Sequence, residues 1–559
     1  MGVIFVEDKS SSRVTAAHLK RYDPVRQAKT ETEAEASDGL NAPPIERGEW
    51  FRRIIGLVAG LIAAVLIYFI MPADLEVWPK LTAATAVLMA IWWMTEAIPI
   101  PATALLPLII FPLLVPASES EEGVSVSDVG ANYGNDIIFL FMGGFLLALT
   151  MQRWNLHRRI ALLVLRGMGS NTNALIAGFM IATGFLSMWV SNTATAVMML
   201  PIGISVLLLV KKITDGEDPG AVIEEGSESS PSQEEVSEVS KTNFGTALML
   251  AIAYSASIGS LGTIIGTPPN ALLAAHMAST HDMNLGFGRW MVVGVPLSIV
   301  LMVGAWFILT KIMFKPETRH IPGGAELIRK EWAKLGPMSV GELSVLIVFI
   351  IAATSWVAVP LISEYVFGLE EAVVSDAGIA MIVGVALFIL PGGANQGVRL
   401  LNWDTALKLP WGVLLLFGGG LALSAQFSDS GLSEWLGQQV EGLAGIPVWL
   451  LVAIAAVGIL ILTEMTSNTA TAATFLPVAS GVAMGTGIEP LLLTAPVALA
   501  ATCAFMLPVA TPPNAIAYGS GYVTIGQMVK GGALINILAA ILITLTAMTV
   551  LVWVFGIAY

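Results

Sequence analysis

Ser191-Asn192-Thr193-Ala194-Thr195 interrupts a long apolar stretch, and the same five residues return as Ser467-Asn468-Thr469-Ala470-Thr471. One constant offset carries Ser191 onto Ser467, Ser187 onto Thr463, Phe141 onto Phe417, Gly143-Gly144 onto Gly419-Gly420 and Leu200-Pro201 onto Leu476-Pro477. A gapless register from 141 to 201 marks a duplicated unit, not a chance pentapeptide. A second doubled motif follows each copy, Gly266-Thr267-Pro268-Pro269-Asn270 and then Ala510-Thr511-Pro512-Pro513-Asn514.

Composition fixes the class around these motifs. The chain has 559 residues, 55% hydrophobic and 12% charged, with a mean hydropathy of +0.78. Apolar runs of spanning length recur from about residue 54 to the end, so the sequence reads as an all-α polytopic membrane protein. Cys503 is the single cysteine, which excludes an internal disulfide and a thiolate metal cluster. The histidines at 18, 157, 276, 281 and 320 show no metal-ligand spacing. The net charge of −14 disfavours a nucleic-acid partner. No His/Asp or Cys constellation within the spans suits a membrane-embedded transferase, so an enzyme is not expected.

Residues 1–50 are polar and Ser/Glu/Ala-rich and read as a cytoplasmic disordered tail without a signal-peptide pattern. Trp50-Phe51-Arg52-Arg53 reads as an interfacial anchor before the first span. Spans are expected near 54–71, 79–97, 102–116 and 135–152, then a broken run at 243–276 and a span at 286–310. The second half places them near 342–364, 374–391 and 411–426, with a broken run at 490–523 and a last span at 528–557. That is about eleven spans. The stretches 172–210 and 446–485 carry the Ser-Asn-Thr motifs at mid-length. Each is either two full spans or one re-entrant hairpin, and the polarity of the tip favours the hairpin, in a protein-lined cavity.

Basic residues Arg153, Arg158, Arg159 and Arg166, then Lys311 to Lys334, mark cytoplasmic connections, whereas 117–134 and 427–445 are acidic. On this count the 135–152 span and its repeat partner at 411–426 run in opposite directions. The duplicated units are therefore expected in inverted topology, with the N-terminus in the cytoplasm of a cell (inner) membrane protein and the C-terminus outside. The Glu/Ser-rich insert at 211–242 accounts for the longer spacing in the first half.

A helix broken inside a membrane exposes N–H groups at one half-helix end and carbonyls at the other. The first suit an anion, the second a small hard cation. Ser-Asn-Thr supplies two hydroxyls and an amide that can donate to a carboxylate and accept a cation. Pro268, Pro269, Pro512 and Pro513 cannot supply helix N–H groups, which frees carbonyls before them, including those of Gly266 and Ala510. The plain alternative is that Ser, Thr and Asn serve helix packing and Pro kinks a helix. Two copies of both motifs in one inverted repeat argue against it.

Both Ser-Asn-Thr motifs, both Thr-Pro-Pro-Asn loops, Trp92-Trp93-Met94-Thr95-Glu96-Ala97 and Trp411-Gly412-Val413-Leu414 resemble the divalent anion/sodium symporter (DASS) family of INDY-type di- and tricarboxylate transporters. The similarity runs from about 50 to 559. The resemblance implies an elevator-type homodimer with a fixed scaffold and a moving transport domain. The scaffold would comprise 51–171 and the helices of the second half within 277–445. The transport domain would comprise 172–276, with the first hairpin, the acidic insert and a broken helix, and 446–525, with their counterparts, before a last helix at 526–559. It further implies one sodium site from Ser187, Ser191, Asn192 and the Gly266 carbonyl, and another from Thr463, Ser467, Asn468 and the Ala510 carbonyl. The anion would touch Asn192, Thr193, Thr267, Asn468, Thr469 and Thr511. Thr267 stands where some relatives have Ser, and its methyl trims the pocket.

Of the carboxylates near spans, Glu96 and Asp136 read as interfacial, while Glu464 adjoins Thr463 but has Met188 as its repeat partner. No Lys or Arg lies near the tips, so dipoles, hydroxyls and co-bound cations must meet the anion's charge. The expected function is sodium-coupled symport of a C4 dicarboxylate such as succinate, malate or fumarate. The alternatives are a sodium-independent dicarboxylate or citrate exchanger, and a sodium/sulfate symporter.

Overall fold

A computed structural model describes residues 47–115, 123–214, 242–321, 323–369, 372–393, 395–440, 442 and 445–557. The expected tail lies outside these residues except for its last four, and the 211–242 insert lies outside them except at its edges. The described residues form helices, 3-10 and π turns and two isolated bridges, with no strand among them.

Helix α1 (Arg47–Ile70) starts earlier than the hydropathy suggests. Trp50-Phe51-Arg52-Arg53 therefore lies within its first turns and not before it. Glu49 pairs with Arg53 one turn on at 2.7 Å, and Arg52 reaches Glu96 at 2.8 Å. Glu96 ends α2 (Val77–Thr95) in the left-handed region at φ 50°. These pairs are half exposed and fix the α1–α2 register more than they add stability, each being worth under about 1 kcal/mol.

The span expected at 102–116 is not one helix. A short turn at Ile100–Thr103 precedes α3 (Pro107–Leu114), because Pro107 has no N–H with which to continue the preceding turn. The acidic connection holds α4 (Val126–Ala131), capped by Ser125, and α5 (Asp136–Arg153) follows.

The basic connections contain helices that a hydropathy reading passes over. These are α6 (Leu156–Arg166) and, later, α12 (Gly324–Lys334), and they pack on each other. Arg158 and Lys334 both bind Glu331, at 2.8 and 2.6 Å. Arg159 is buried against Glu342 at 2.9 Å, with its guanidinium over Trp332 at 5.4 Å.

Between these two arms lie α7 (Thr172–Ser187), α8 (Asn192–Thr214), α9 (Asn243–Ser260), α10 (Pro268–His281) and α11 (Phe287–Phe307). Beyond α12 come α13 (Val340–Tyr365), α14 (Asp376–Ile389) and α15 (Trp411–Asp429). In the expected acidic loop at 427–445 sits α16 (Leu432–Val440). The remainder is α17 (Val448–Thr463), α18 (Asn468–Thr486), α19 (Pro490–Thr502), α20 (Pro512–Gly519) and α21 (Ile525–Thr546). Among the described residues, eight helices are long and apolar enough to cross a membrane, and five apolar stretches are shorter. The expected total of about eleven crossings thus depends on joining short helices across breaks.

The two repeats pack reciprocally. α9 lies on α7 and α8 as α19 lies on α17 and α18, while α8 meets α20 as α18 meets α10. The first halves of the broken helices cross to the other repeat, α9 onto α20 and α19 onto α10. Each repeat therefore completes the other. The α7–α9 crossing is close because both sides are glycine: a Cβ on Gly259 would lie 2.2 Å from the Gly184 carbonyl oxygen. The start of α7 is held at Arg319, whose carbonyl accepts from the Thr172 N–H at 3.1 Å, and α8 packs on α12 just beyond. Both ends of the first Ser-Asn-Thr unit thus meet the same basic segment.

Candidate functional site

The first Ser-Asn-Thr motif occupies the turn between α7 and α8, and the second the turn between α17 and α18. Ser191 caps α8, its hydroxyl accepting from the Ala194 N–H at 3.3 Å. Ser467 takes the equivalent extended backbone before α18, at φ −66° and ψ 129°. Thr267 and Thr511 stand in the same way before α10 and α20, each followed by Pro at the first helical positions. There the ring is tolerated because no helix partner awaits that N–H. Four helix N-termini are thus created by the two motifs, and their free N–H groups favour an anion.

Behind each tip lies an oxygen cluster. The Ser187 hydroxyl is 3.0 Å from Asn192 Oδ1 and 2.5 Å from the Ala256 carbonyl oxygen. In the second repeat the Thr463 hydroxyl is 2.9 Å from Asn468 Oδ1 and 2.8 Å from the Ala501 carbonyl oxygen. A hydroxyl has one hydrogen and can satisfy one of those two acceptors. Each cluster therefore gathers three oxygens around a single proton, two from fully buried residues and one from a half-buried asparagine, the donor set that suits a small hard cation. Ala256 and Ala501 enter as carbonyls, which nothing in their side chains signals.

The expected anion contacts divide into two groups. Asn192, Asn468 and Thr469 are half-buried and Thr193 is exposed, so these groups are accessible. Thr267 and Thr511 are buried. The Thr267 hydroxyl meets that of Thr502 at 3.3 Å, joining the first break to the end of α19. The Thr511 hydroxyl accepts from the Asn514 N–H at 3.3 Å. Asn192 Nδ2 donates to the Ser260 hydroxyl at 3.3 Å.

Glu464 is buried and braces the second break. Its carboxylate accepts from the N–H groups of Phe505, Met506 and Leu507 at 2.8, 2.9 and 3.0 Å, and from Asn536 Nδ2 at 2.7 Å. At the corresponding place in the first repeat, the Met188 carbonyl accepts from the Thr263 hydroxyl at 2.6 Å. Both tips are tied to the facing unwound segment, one through a charge and one through a neutral bond. Glu96 and Asp136 are remote from both clusters in sequence and sit at helix ends.

Sequence reasoning missed Ser260, Thr263, Thr502, Asn270 and Asn514. The last two are visible in the doubled Thr-Pro-Pro-Asn, but their partners are carbonyls that carry no sequence signal.

The profile of the family described as the sodium:sulfate symporter transmembrane region matches residues 51–557. A protein of Staphylococcus saprophyticus named sodium-dependent dicarboxylate transporter SdcS is 42% identical over 496 residues, 88% of this chain and 90% of its own. Its namesake in Staphylococcus aureus (strain USA300) is 41% identical over 512 residues, 90% of this chain and 92% of its own. The crystal structure of the Alcanivorax borkumensis YdaH transporter is similar with a TM-score of 0.50 at 14% identity, covering 83% of this chain and 98% of that one. That last likeness is one of fold alone.

Proposed function

The chain belongs to the sodium:sulfate symporter family of multi-pass membrane transporters, and from that membership we propose that it couples sodium entry to uptake of a C4 dicarboxylate. The observation that carries this reading is the pair of buried oxygen clusters, at Ser187/Asn192/Ala256 and Thr463/Asn468/Ala501. A carrier that exchanged anions without a cation would have no use for two such clusters. The names of the two staphylococcal relatives support both the ion and the substrate class.

In this account sodium binds first at the set Ser187, Ser191, Asn192 and the Gly266 carbonyl, and at the set Thr463, Ser467, Asn468 and the Ala510 carbonyl. The two positive charges then stand beside the tips, where the chain offers no Lys or Arg. A dicarboxylate takes one carboxylate to each side, from the amide of Asn192 or Asn468 and the hydroxyls of Thr193, Thr469, Thr267 and Thr511. Charge neutrality makes the loaded site cheap to move and the half-loaded site expensive, which is the physical basis of coupling. The moving body would comprise 172–276 and 446–525 and the scaffold the arms and outer helices, working as an elevator in a homodimer with the N-terminus in the cytoplasm and the C-terminus outside. Competition in proteoliposomes tests the substrate class: excess unlabelled malate and fumarate should suppress labelled succinate uptake. Sulfate or citrate competing better than malate would overturn the C4 assignment.

A further inference from the structure

We infer that Asn270 and Asn514 are a pair of positioning residues, each strapping the unwound turn that ends in the sodium-binding carbonyl of its half-site. The inference rests on the sodium-coupled reading above and deepens it.

The two residues make matching bonds in the two repeats, with the nearer acceptor at the same position and the farther one displaced by one residue. Asn270 Nδ2 donates to the carbonyls of Leu261 and Thr263, at 3.2 and 2.9 Å. Asn514 Nδ2 donates to the carbonyls of Ala504 and Leu507, both at 3.1 Å. An amide nitrogen carries two hydrogens, so each strap is fully used. The second acceptor is the informative one. The Thr263 carbonyl also receives the Gly266 N–H at 3.4 Å, and the Leu507 carbonyl receives the Ala510 N–H at 3.2 Å. Strap and sodium ligand thus share one acceptor in each repeat. The strap closes the turn on the side away from the helix, and the turn aims the carbonyl of its last residue.

Packing alone does not explain an asparagine here. Both side chains are buried, and both Oδ1 atoms lack a hydrogen-bond partner among the described residues. Leaving such an acceptor unsatisfied is unfavourable, a cost that a leucine of similar volume would avoid. What the amide gives in return is a donor that ties two carbonyls of the unwound segment together; the Leu261 carbonyl also accepts from the Trp290 indole N–H at 3.2 Å. The same arrangement built twice, from segments with different sequences (Leu261-Gly262-Thr263 against Ala504-Phe505-Met506-Leu507), points to a requirement of the turn and not of its neighbours.

The test is the sodium dependence of labelled succinate uptake by full-length protein in proteoliposomes, for wild type, Asn270→Leu, Asn514→Leu and the milder Asn270→Ser and Asn514→Ser. Both leucine variants should raise half-saturating sodium by about tenfold, equivalent to about 1.4 kcal/mol. Their KM for succinate at saturating sodium should stay within about threefold of wild type, since the anion's own contacts remain. A residue that only supports the fold would lower the maximal rate and leave half-saturating sodium alone. Should a leucine variant fail to elute as folded protein, the serine variant decides, with a smaller rise expected. Wild-type sodium curves in the folded variants would overturn the strap. Wild-type protein indifferent to sodium would instead overturn the functional reading on which it rests.

Discussion

Ser187 and Asn192 face each other across the first helix break with their side-chain oxygens 3.0 Å apart, and the Ser187 hydroxyl is also 2.5 Å from the Ala256 carbonyl. One proton is shared among three oxygens, and Thr463, Asn468 and Ala501 repeat the arrangement. A cation inserted there would draw in oxygens that otherwise compete for that proton. Ser187→Ala and Thr463→Val should each raise half-saturating sodium by about tenfold or more. Asn192→Ala and Asn468→Ala, which remove cation and anion contacts together, should abolish uptake while the protein still elutes as a folded species. Wild-type rates in both asparagine variants would reduce the tips to packing elements.

Gly266 and Ala510 occupy equivalent places but are not interchangeable. A Cβ on Gly266 would stand 2.2 Å from the Ser260 carbonyl oxygen, a backbone atom that cannot swing away. Gly266→Ala should therefore distort the first turn and cut sodium-dependent uptake at least tenfold, by the tenfold-per-1.4 kcal/mol rule. Ala510→Gly should retain most of the wild-type rate, because the second turn already accommodates a methyl group. Uptake and its sodium dependence in the two variants check the asymmetry.

Glu464 holds three consecutive backbone N–H groups of the second break. Glu464→Ala leaves these donors unpaired, that of Phe505 fully buried, and should destabilise the protein by about 2 kcal/mol or more. Glu464→Gln keeps the shape but sets an NH2 group against N–H donors, so it should rescue only part of that loss. Thermal unfolding in detergent, compared with Met188→Ala at the corresponding place, reads the difference. Equal effects at both positions would contradict a special role for the charge.

Arm α6 is joined to the first turn of α13 through Arg159 and Glu342, an ion pair with only 9% and 7% of its side chains exposed. Removing one partner strands a buried charge, so Arg159→Met or Glu342→Leu alone should cost about 3–5 kcal/mol. The double variant should be markedly more stable than either single one. A double-mutant cycle on thermal unfolding measures that coupling, and additive losses would contradict it.

Much of this architecture was legible in the sequence because membranes punish irregular backbone. Ser191-Asn192-Thr193 and Thr267-Pro268-Pro269 stood out as polar or ring-bearing breaks in apolar runs, and the structure interrupts its helices at both places and at both repeats. The register that paired Ser187 with Thr463 correctly paired their hydrogen-bond roles. The segment at 102–116 misled because its residues are apolar, while a new helix opens within it at Pro107. Helices α6 and α12 escaped notice because amphipathic arms lack a spanning hydropathy signal. The partners of Asn270, Asn514 and Glu464 were invisible for another reason. They are backbone groups freed by unwinding, and the backbone is the same at every residue.

The central claim is that the two oxygen clusters bind sodium and that this binding drives uptake. The most direct measurement is the initial rate of labelled succinate uptake into proteoliposomes under an inward sodium, potassium or proton gradient, each imposed separately. Uptake should be rapid with the sodium gradient and near background with the other two. Equal uptake under all three gradients would contradict the account.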